Sequence, residues 1–277
     1  MRSGYGQRSS FRVGSWVATV GFALASCLGA EEPPIQVNPN RPTFATPAST
    51  TQIGGVELEF GLEQVLLRGG SGLFFSPFLL KLGVLKRLEL RLGGNGLLHL
   101  TPPRVSSATG FGDITLGAQW FYLRGGPLGV DQAVQIDWKL PTASVRHGLG
   151  SGEADRALIL ILSRDVGAFH VDANLQETWL GRPTAAGPGT ARQTAGTISV
   201  SRTLDEEWSL TAEIYSIGAT PDNARIVSNL WAVGYKMSPS LILDAGVDVG
   251  LSHGAQKVSF FAGVTTGLGR FRHLSVP

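Results

Sequence analysis

The sequence predicts an all-β fold, an antiparallel transmembrane β-barrel of about 12 strands, on three observations. Segments of about ten residues alternate apolar and polar side chains from residue 55 to 270. The links between them alternate in length, and tryptophans and tyrosines sit near segment ends. Composition agrees: the 277 residues are 43% hydrophobic and 16% charged, with 37 glycines. Average proteins carry roughly 25% charged residues and about 7% glycine, so this chain is charge-poor and glycine-rich. That balance excludes a disordered tail protein, and glycines without a three-residue period exclude collagen. The single cysteine cannot build an internal disulfide framework, and no Cys/His spacing suggests zinc. The 23 basic and 21 acidic residues form no basic stripe, so no nucleic-acid partner is expected.

Residues 1–30 read as an export signal peptide. Arg2, Arg8 and Arg12 give a positive start, Val13 to Leu24 is mostly apolar, and a small-residue stretch follows up to Ala30. Two cleavage modes stay open. Leu24-Ala25-Ser26-Cys27 resembles a lipoprotein box, in which Cys27 would be lipidated; ordinary cleavage after Ala30 is the other. Either way the mature chain leaves the cytoplasm. Residues 31–54, rich in Pro, Thr, Asn and Ser, read as a flexible periplasmic leader with no core of its own. Beyond the signal there is no apolar run of about 18 residues, so no transmembrane helix is expected.

Periodicity then identifies the strands. In Arg87-Leu88-Glu89-Leu90-Arg91-Leu92 every second residue is leucine and the others are charged. A helix would scatter those charges around its circumference, whereas a strand collects them on one face. The same period sets Ile114, Leu116, Ala118 and Trp120 against Asp113, Thr115, Gly117 and Gln119. It sets Val134, Ile136, Trp138 and Leu140 against Gln135, Asp137 and Lys139, and Phe169, Val171, Ala173 and Leu175 against His170, Asp172 and Asn174. It recurs over 208–214, 241–249 and 257–266. The expected strands are 56–68, 72–82, 87–99, 112–123, 130–140, 155–164, 168–179, 193–203, 207–217, 226–236, 240–251 and 257–268.

Links at 83–86, 125–129, 165–167, 204–206 and 237–239 are tight, and those at 100–111, 141–154, 180–192, 218–225 and 252–256 are mostly longer. Outer-membrane barrels arrange periplasmic turns and extracellular loops in this way. A secreted soluble β-sandwich also alternates in polarity. It gives no reason, however, for alternating link lengths or for Trp120, Trp138, Trp179 and Trp208 near strand ends. In a barrel the apolar face meets lipid and the polar face lines the interior. The sheet must close, because an open edge in hydrocarbon leaves N–H and C=O groups unpaired.

Three stretches carry a family resemblance: Gly110-Phe111-Gly112-Asp113 leading into Leu116-Gly117-Ala118-Gln119-Trp120; Lys139-Leu140-Pro141-Thr142 followed by glycine-rich 148–152; and Asn229-Leu230-Trp231 with Gly234-Tyr235 and 244–250. With the Leu82–Leu92 turn and strand, the chain resembles the MetA-pathway phenol-degradation, transporter-like outer-membrane barrel family over residues 55–268. Two departures stand out: Ala143 follows Pro141-Thr142 where the family has glycine, and the chain ends without a terminal aromatic. The resemblance implies an outer-membrane channel or transporter, linked in some members to uptake of hydrophobic or aromatic compounds. It gives no particular ligand.

The candidate lumen-lining, selectivity-setting residues are Glu57, Glu59, Glu89, Arg91, Asp137, Lys139, His170, Asp172, Glu213, Asp244, Asp248 and Lys257. The same charges could equally pair across strands and fill the axis. Gly110, Gly112, Asp113, Pro141 and Thr142 are the family-like motif positions, with Asp113 suited to stabilising a turn. His170, Asp172 and Asn174 share a face, which a polar wall explains without a metal. No metal and no cofactor are expected. Five histidines, none within a nucleophile motif, make an enzyme unexpected. The sequence thus predicts passive passage of small molecules across the outer membrane of a Gram-negative-type bacterium. Its partners would be outer-membrane lipid, barrel-assembly machinery and a small-molecule solute, and its oligomeric state stays open. A structural or surface-binding barrel with a plugged lumen, or the soluble sandwich, are the alternatives.

Overall fold

The structure, a computed structural model, describes residues 35–102, 106–184 and 187–271. The signal segment with Cys27 and the tail after Phe271 lie outside the described residues. Thirteen strands follow in order: β1 (Gly55–Leu66), β2 (Gly72–Leu85), β3 (Leu88–Thr101), β4 (Ala108–Gly110), β5 (Ile114–Leu123), β6 (Asp131–Leu140), β7 (Asp155–Val166), β8 (Phe169–Thr184), β9 (Gly187–Thr203), β10 (Trp208–Ile217), β11 (Ile226–Ser238), β12 (Leu241–Gly250) and β13 (Val258–Arg270). Twelve of them pair antiparallel with their sequence neighbours, and β1 also pairs with β13, so the sheet closes. The short β4 is an addition, hydrogen-bonded to the outer end of β3 through Leu98–Leu100.

The 12-strand barrel read from the sequence is the one observed. The cause is visible in β3, where Glu89 and Arg91 are buried and the alternating Leu90 is exposed on the outer surface. Around the circumference Leu116, Ile136, Leu158, Leu175, Ile198, Ile214 and Phe260 are exposed, while Gln119, Ser199, Ser228 and Thr265 are buried inside. The soluble rule is inverted, as a lipid-facing barrel requires. The start of β1, the end of β13 and the short turns occupy one end of the barrel, and the longer links the other. At the short-turn end the rings of Trp208 and Tyr235 lie 4.7 Å apart and those of Trp120 and Tyr122 5.9 Å apart.

Two details differ from the sequence reading. The expected link 180–192 is largely strand, since the β8–β9 ladder runs on to Thr184 opposite Gly187. Above the lipid-facing band a strand has no apolar face to present, so alternation disappears although the backbone ladder continues. Lys257 is not part of the inner wall. It is exposed in the link before β13, and its backbone N–H donates to the Leu66 carbonyl.

Candidate functional site

The lumen is the site, and at its short-turn end it contains the chain's own residues 35–53. This segment was expected to have no core of its own, yet Ile35, Val37, Ala45, Ala48 and Thr51 are buried. It forms no regular element. Pro39, Pro42 and Pro47 lack N–H groups, so it cannot join a ladder, and its remaining N–H groups need other acceptors. The wall supplies them.

From the short-turn end upward, Val37 N–H donates to the Pro239 carbonyl at 3.0 Å. Asn38 N–H donates to Glu57 at 3.1 Å, and Asn40 and Arg41 N–H each donate to Glu59 at 2.9 Å. The Arg41 guanidinium grips Asp244 with two bonds, at 3.1 and 2.9 Å. It fits because Gly61 and Gly263 line that spot: a Cβ on either would collide with the guanidinium. Phe44 and Ala45 N–H donate to the two oxygens of Glu213 at 2.8 and 2.7 Å. The Phe44 ring stacks on Tyr215, centroids 5.2 Å apart. The chain then turns back. Asn174 donates to the Thr46 carbonyl, Gln119 to that of Pro47, Ala48 N–H to Ser163 Oγ at 2.7 Å, and Thr51 N–H to Glu89 at 2.7 Å. Asn38 and Ser49 bridge the two limbs. Ala48 also packs into an apolar cluster with Phe121, Ala133, Ile159 and Ile161.

Lys81, which the sequence reading passed over because it lies in the apolar stretch of β2, is fully buried between Glu57 at 3.1 Å and Glu59 at 2.8 Å. It also donates to the Asn38 carbonyl and to Asn40 Oδ1. Register opposes Glu57 to Lys81, which places both on the inner face. Arg91 donates to Glu89 at 2.6 Å and to Gln119 at 3.1 Å. Asp172 accepts from Ser163 at 2.5 Å, and His170 lies 3.1 Å from Asp172 and 2.6 Å from Asp165, half-exposed near the short-turn end. Asp248 accepts from Tyr215 Oη at 2.5 Å and from Ser228. Asp137 is different: its one hydrogen bond among the described residues comes from Gln135 Nε2 at 2.8 Å. It lines a cavity of about 160 Å³ between Phe44, Thr46 and the β6–β9 wall. Buried Gln135 Oε1 and Asn174 Oδ1 in that cavity have no hydrogen-bond partner among the described residues.

The motif positions converge at the end opposite the short turns. Gly112 N–H donates to the Asn95 carbonyl, Thr142 Oγ1 accepts from Ile114 N–H at 3.0 Å, and Asp113 accepts from Ala143 N–H at 2.8 Å. Lys139 bridges Asp113 at 3.4 Å and Asp155 at 2.7 Å. Gly110, in β4, packs under Leu149. Together they latch the 141–154 link against the barrel, with Pro141 at its root. In that link Ser144 Oγ lies 2.9 Å from His147 Nδ1. His147 is exposed and Ser144 half-buried, and among the described residues no carboxylate orients the ring as a nucleophile–base pair requires. No group of three or more His, Cys, Asp or Glu suited to a metal occurs among the described residues.

This architecture has solved counterparts. An outer membrane channel from Pseudomonas putida F1 superposes with TM-score 0.61 at 13% identity, covering 84% of this chain and all of that one. The KdgM porin superposes with TM-score 0.51 at 11% identity, covering 76% and 98%. At these identities the likeness is one of fold, and it is an outer-membrane barrel fold. No curated protein sequence matches the chain. The family profile described as "Putative MetA-pathway of phenol degradation" matches residues 40–266, so it takes in most of the lumen segment as well as the barrel, and the chain belongs to that family.

Proposed function

We propose that the protein is an outer-membrane channel for passive passage of small solutes, apolar and aromatic ones included, held closed in this state by residues 35–53. The observation that carries the reading is how the segment is held. Seven of its backbone N–H groups, on Asn38, Asn40, Arg41, Phe44, Ala45, Ala48 and Thr51, bond to side chains of the wall. Water can replace such bonds at a net difference of about 0.5–1.5 kcal/mol each, or about 1.5–3 where the acceptor is charged. A plug fastened mainly by polar bonds can leave a hydrated lumen without exposing a large apolar core. Glu57, Glu59, Glu89, Glu213 and Asp244 then act both as clamps and, once freed, as the charged lining that sets selectivity. The family description and the Phe44–Tyr215 stack support aromatic solutes. Transport on this reading needs no cofactor, energy source or catalytic group.

A second reading, a structural barrel with a permanently filled lumen, is favoured by one observation. The Lys81–Glu57–Glu59 cluster and the Arg91–Gln119 bond brace neighbouring strands across the inner wall. Liposome swelling separates the two. Protein lacking residues 35–53, refolded and checked by its heat-modifiable gel shift, should admit small sugars and phenols. Liposomes that stay impermeable with this variant would establish the structural reading instead.

A further inference from the structure

The outer wall carries a feature that solute passage does not use. Register sets Trp138 opposite Arg156, Arg156 opposite Trp179, and Trp179 opposite Arg192. Residues directly opposite share a face with Cβ atoms roughly 5 Å apart. A Trp–Arg–Trp–Arg row therefore crosses β6, β7, β8 and β9 on the lipid-facing side, where Trp138 and Trp179 are exposed.

Its position on the barrel follows from strand geometry. Arg192 and Arg202 lie ten residues apart on β9. At about 3.3 Å per residue and a tilt of about 40°, that spans about 25 Å, the height of the apolar band. On β7, Leu158, Leu160 and Leu162 separate Arg156 from Arg164 in the same way. Cations thus mark both edges. At the short-turn edge Arg202 is engaged over the Phe169 ring, 5.4 Å from its centroid. At the extracellular edge Arg192 bonds Glu177 at 2.7 Å through Nε, and Arg156 has no carboxylate partner among the described residues. Two cations against one carboxylate leave the row positive.

Beside the row lies a groove of about 630 Å³, lined by Leu116, Ala118, Ile136, Leu158 and the two tryptophans, with Arg156 at its rim. The small Ala118 between larger neighbours makes it concave. A positive rim above an apolar groove fits an amphiphile with an anionic head and a hydrocarbon tail.

We propose that this face binds an outer-leaflet lipid with a phosphate headgroup: the phosphate between Arg156 and Arg192, an acyl chain in the groove between Trp138 and Trp179. The assignment rests on the reading that the barrel spans the outer membrane. Arginine suits the task because its planar fork grips phosphate through two parallel bonds.

The test is native mass spectrometry of the full mature protein in neutral detergent, titrated with bisphosphorylated lipid A. Dephosphorylated lipid A and inorganic phosphate serve as the matched probes. The phosphorylated lipid should bind best, and R156Q/R192Q should weaken it at least about tenfold. R164Q, at the opposite edge of β7, should stay within about twofold, and the gel shift confirms that each variant folds. Equal binding of the two lipids, or unchanged binding by R156Q/R192Q, overturns the site. Inorganic phosphate binding as tightly as the lipid assigns the arginines to free phosphate and removes the groove from the account. Solute flux through R156Q/R192Q should equal that of the unsubstituted protein, which separates failure of this site from failure of the channel reading.

Discussion

Replacing Glu213 by glutamine is the sharpest single perturbation of the lumen segment. Glu213 offers one oxygen to Phe44 N–H and the other to Ala45 N–H, with Thr197 Oγ1 donating to the second at 2.6 Å. Glutamine keeps the shape but has one acceptor oxygen, and its NH₂ would face an N–H donor. One charge-assisted bond is lost outright and the other becomes neutral. Bonds to charged groups are worth about 1.5–3 kcal/mol each. Losing one at this turn shifts the balance between seated and released segment by about 10- to 150-fold. Single-channel recording in planar bilayers reads this as a matching rise in open probability, with single-channel conductance unchanged. An open probability within twofold of the unsubstituted protein, in a variant that passes the gel-shift test, would refute the argument that Glu213 clamps the segment.

Lys81→Met removes the one lysine between Glu57 and Glu59 and leaves two buried carboxylates without their partner. Breaking such a site costs about 3–5 kcal/mol, which urea unfolding in detergent micelles should register. Adding E57Q and E59Q should restore most of that loss. Lys139→Met removes the bond to Ser151 in the 141–154 link and the cation beside Asp113, whose carboxylate accepts from Ala143 N–H in that link. Limited proteolysis should then cut that link several-fold faster, with the barrel itself still resistant to SDS.

The strands were legible because facing follows directly from a period of two. Glu89 and Arg91 point inward and Leu90 outward for the same reason that the three read as a strand at all. β8 and β9 were under-read where they leave the lipid band, since at 180–192 the signal that marks a strand no longer exists although the ladder does. Lys257 kept the inward parity but stands one residue before β13 begins. The lumen segment was the largest omission. Its composition has no period, and its partners lie far away in sequence: Arg41 meets Asp244 203 positions on, and Phe44 meets Glu213 169 positions on. One signal pointed to it. The candidate inner wall held eight carboxylates against Arg91, Lys139 and Lys257, with His170 besides. Such a surplus of acceptors in a closed space needs donors from outside the sheet. Arg41 and the N–H groups of 38–51 are those donors. Lys81 and Ser163 escaped notice because they lie in largely apolar stretches, and Gln119, although read on the polar face, because alternation does not say which polar residue will meet the segment.

The claim on which the rest depends is that Ala45, 1% exposed, sits inside the barrel. Cysteine at position 45, in a protein with Cys27 replaced by serine, can be challenged with a bulky water-soluble maleimide. No labelling is expected in the folded state, full labelling after unfolding, and intermediate labelling when Glu213→Gln is added. Immediate, complete labelling of the folded protein would place the segment outside the lumen and contradict the claim.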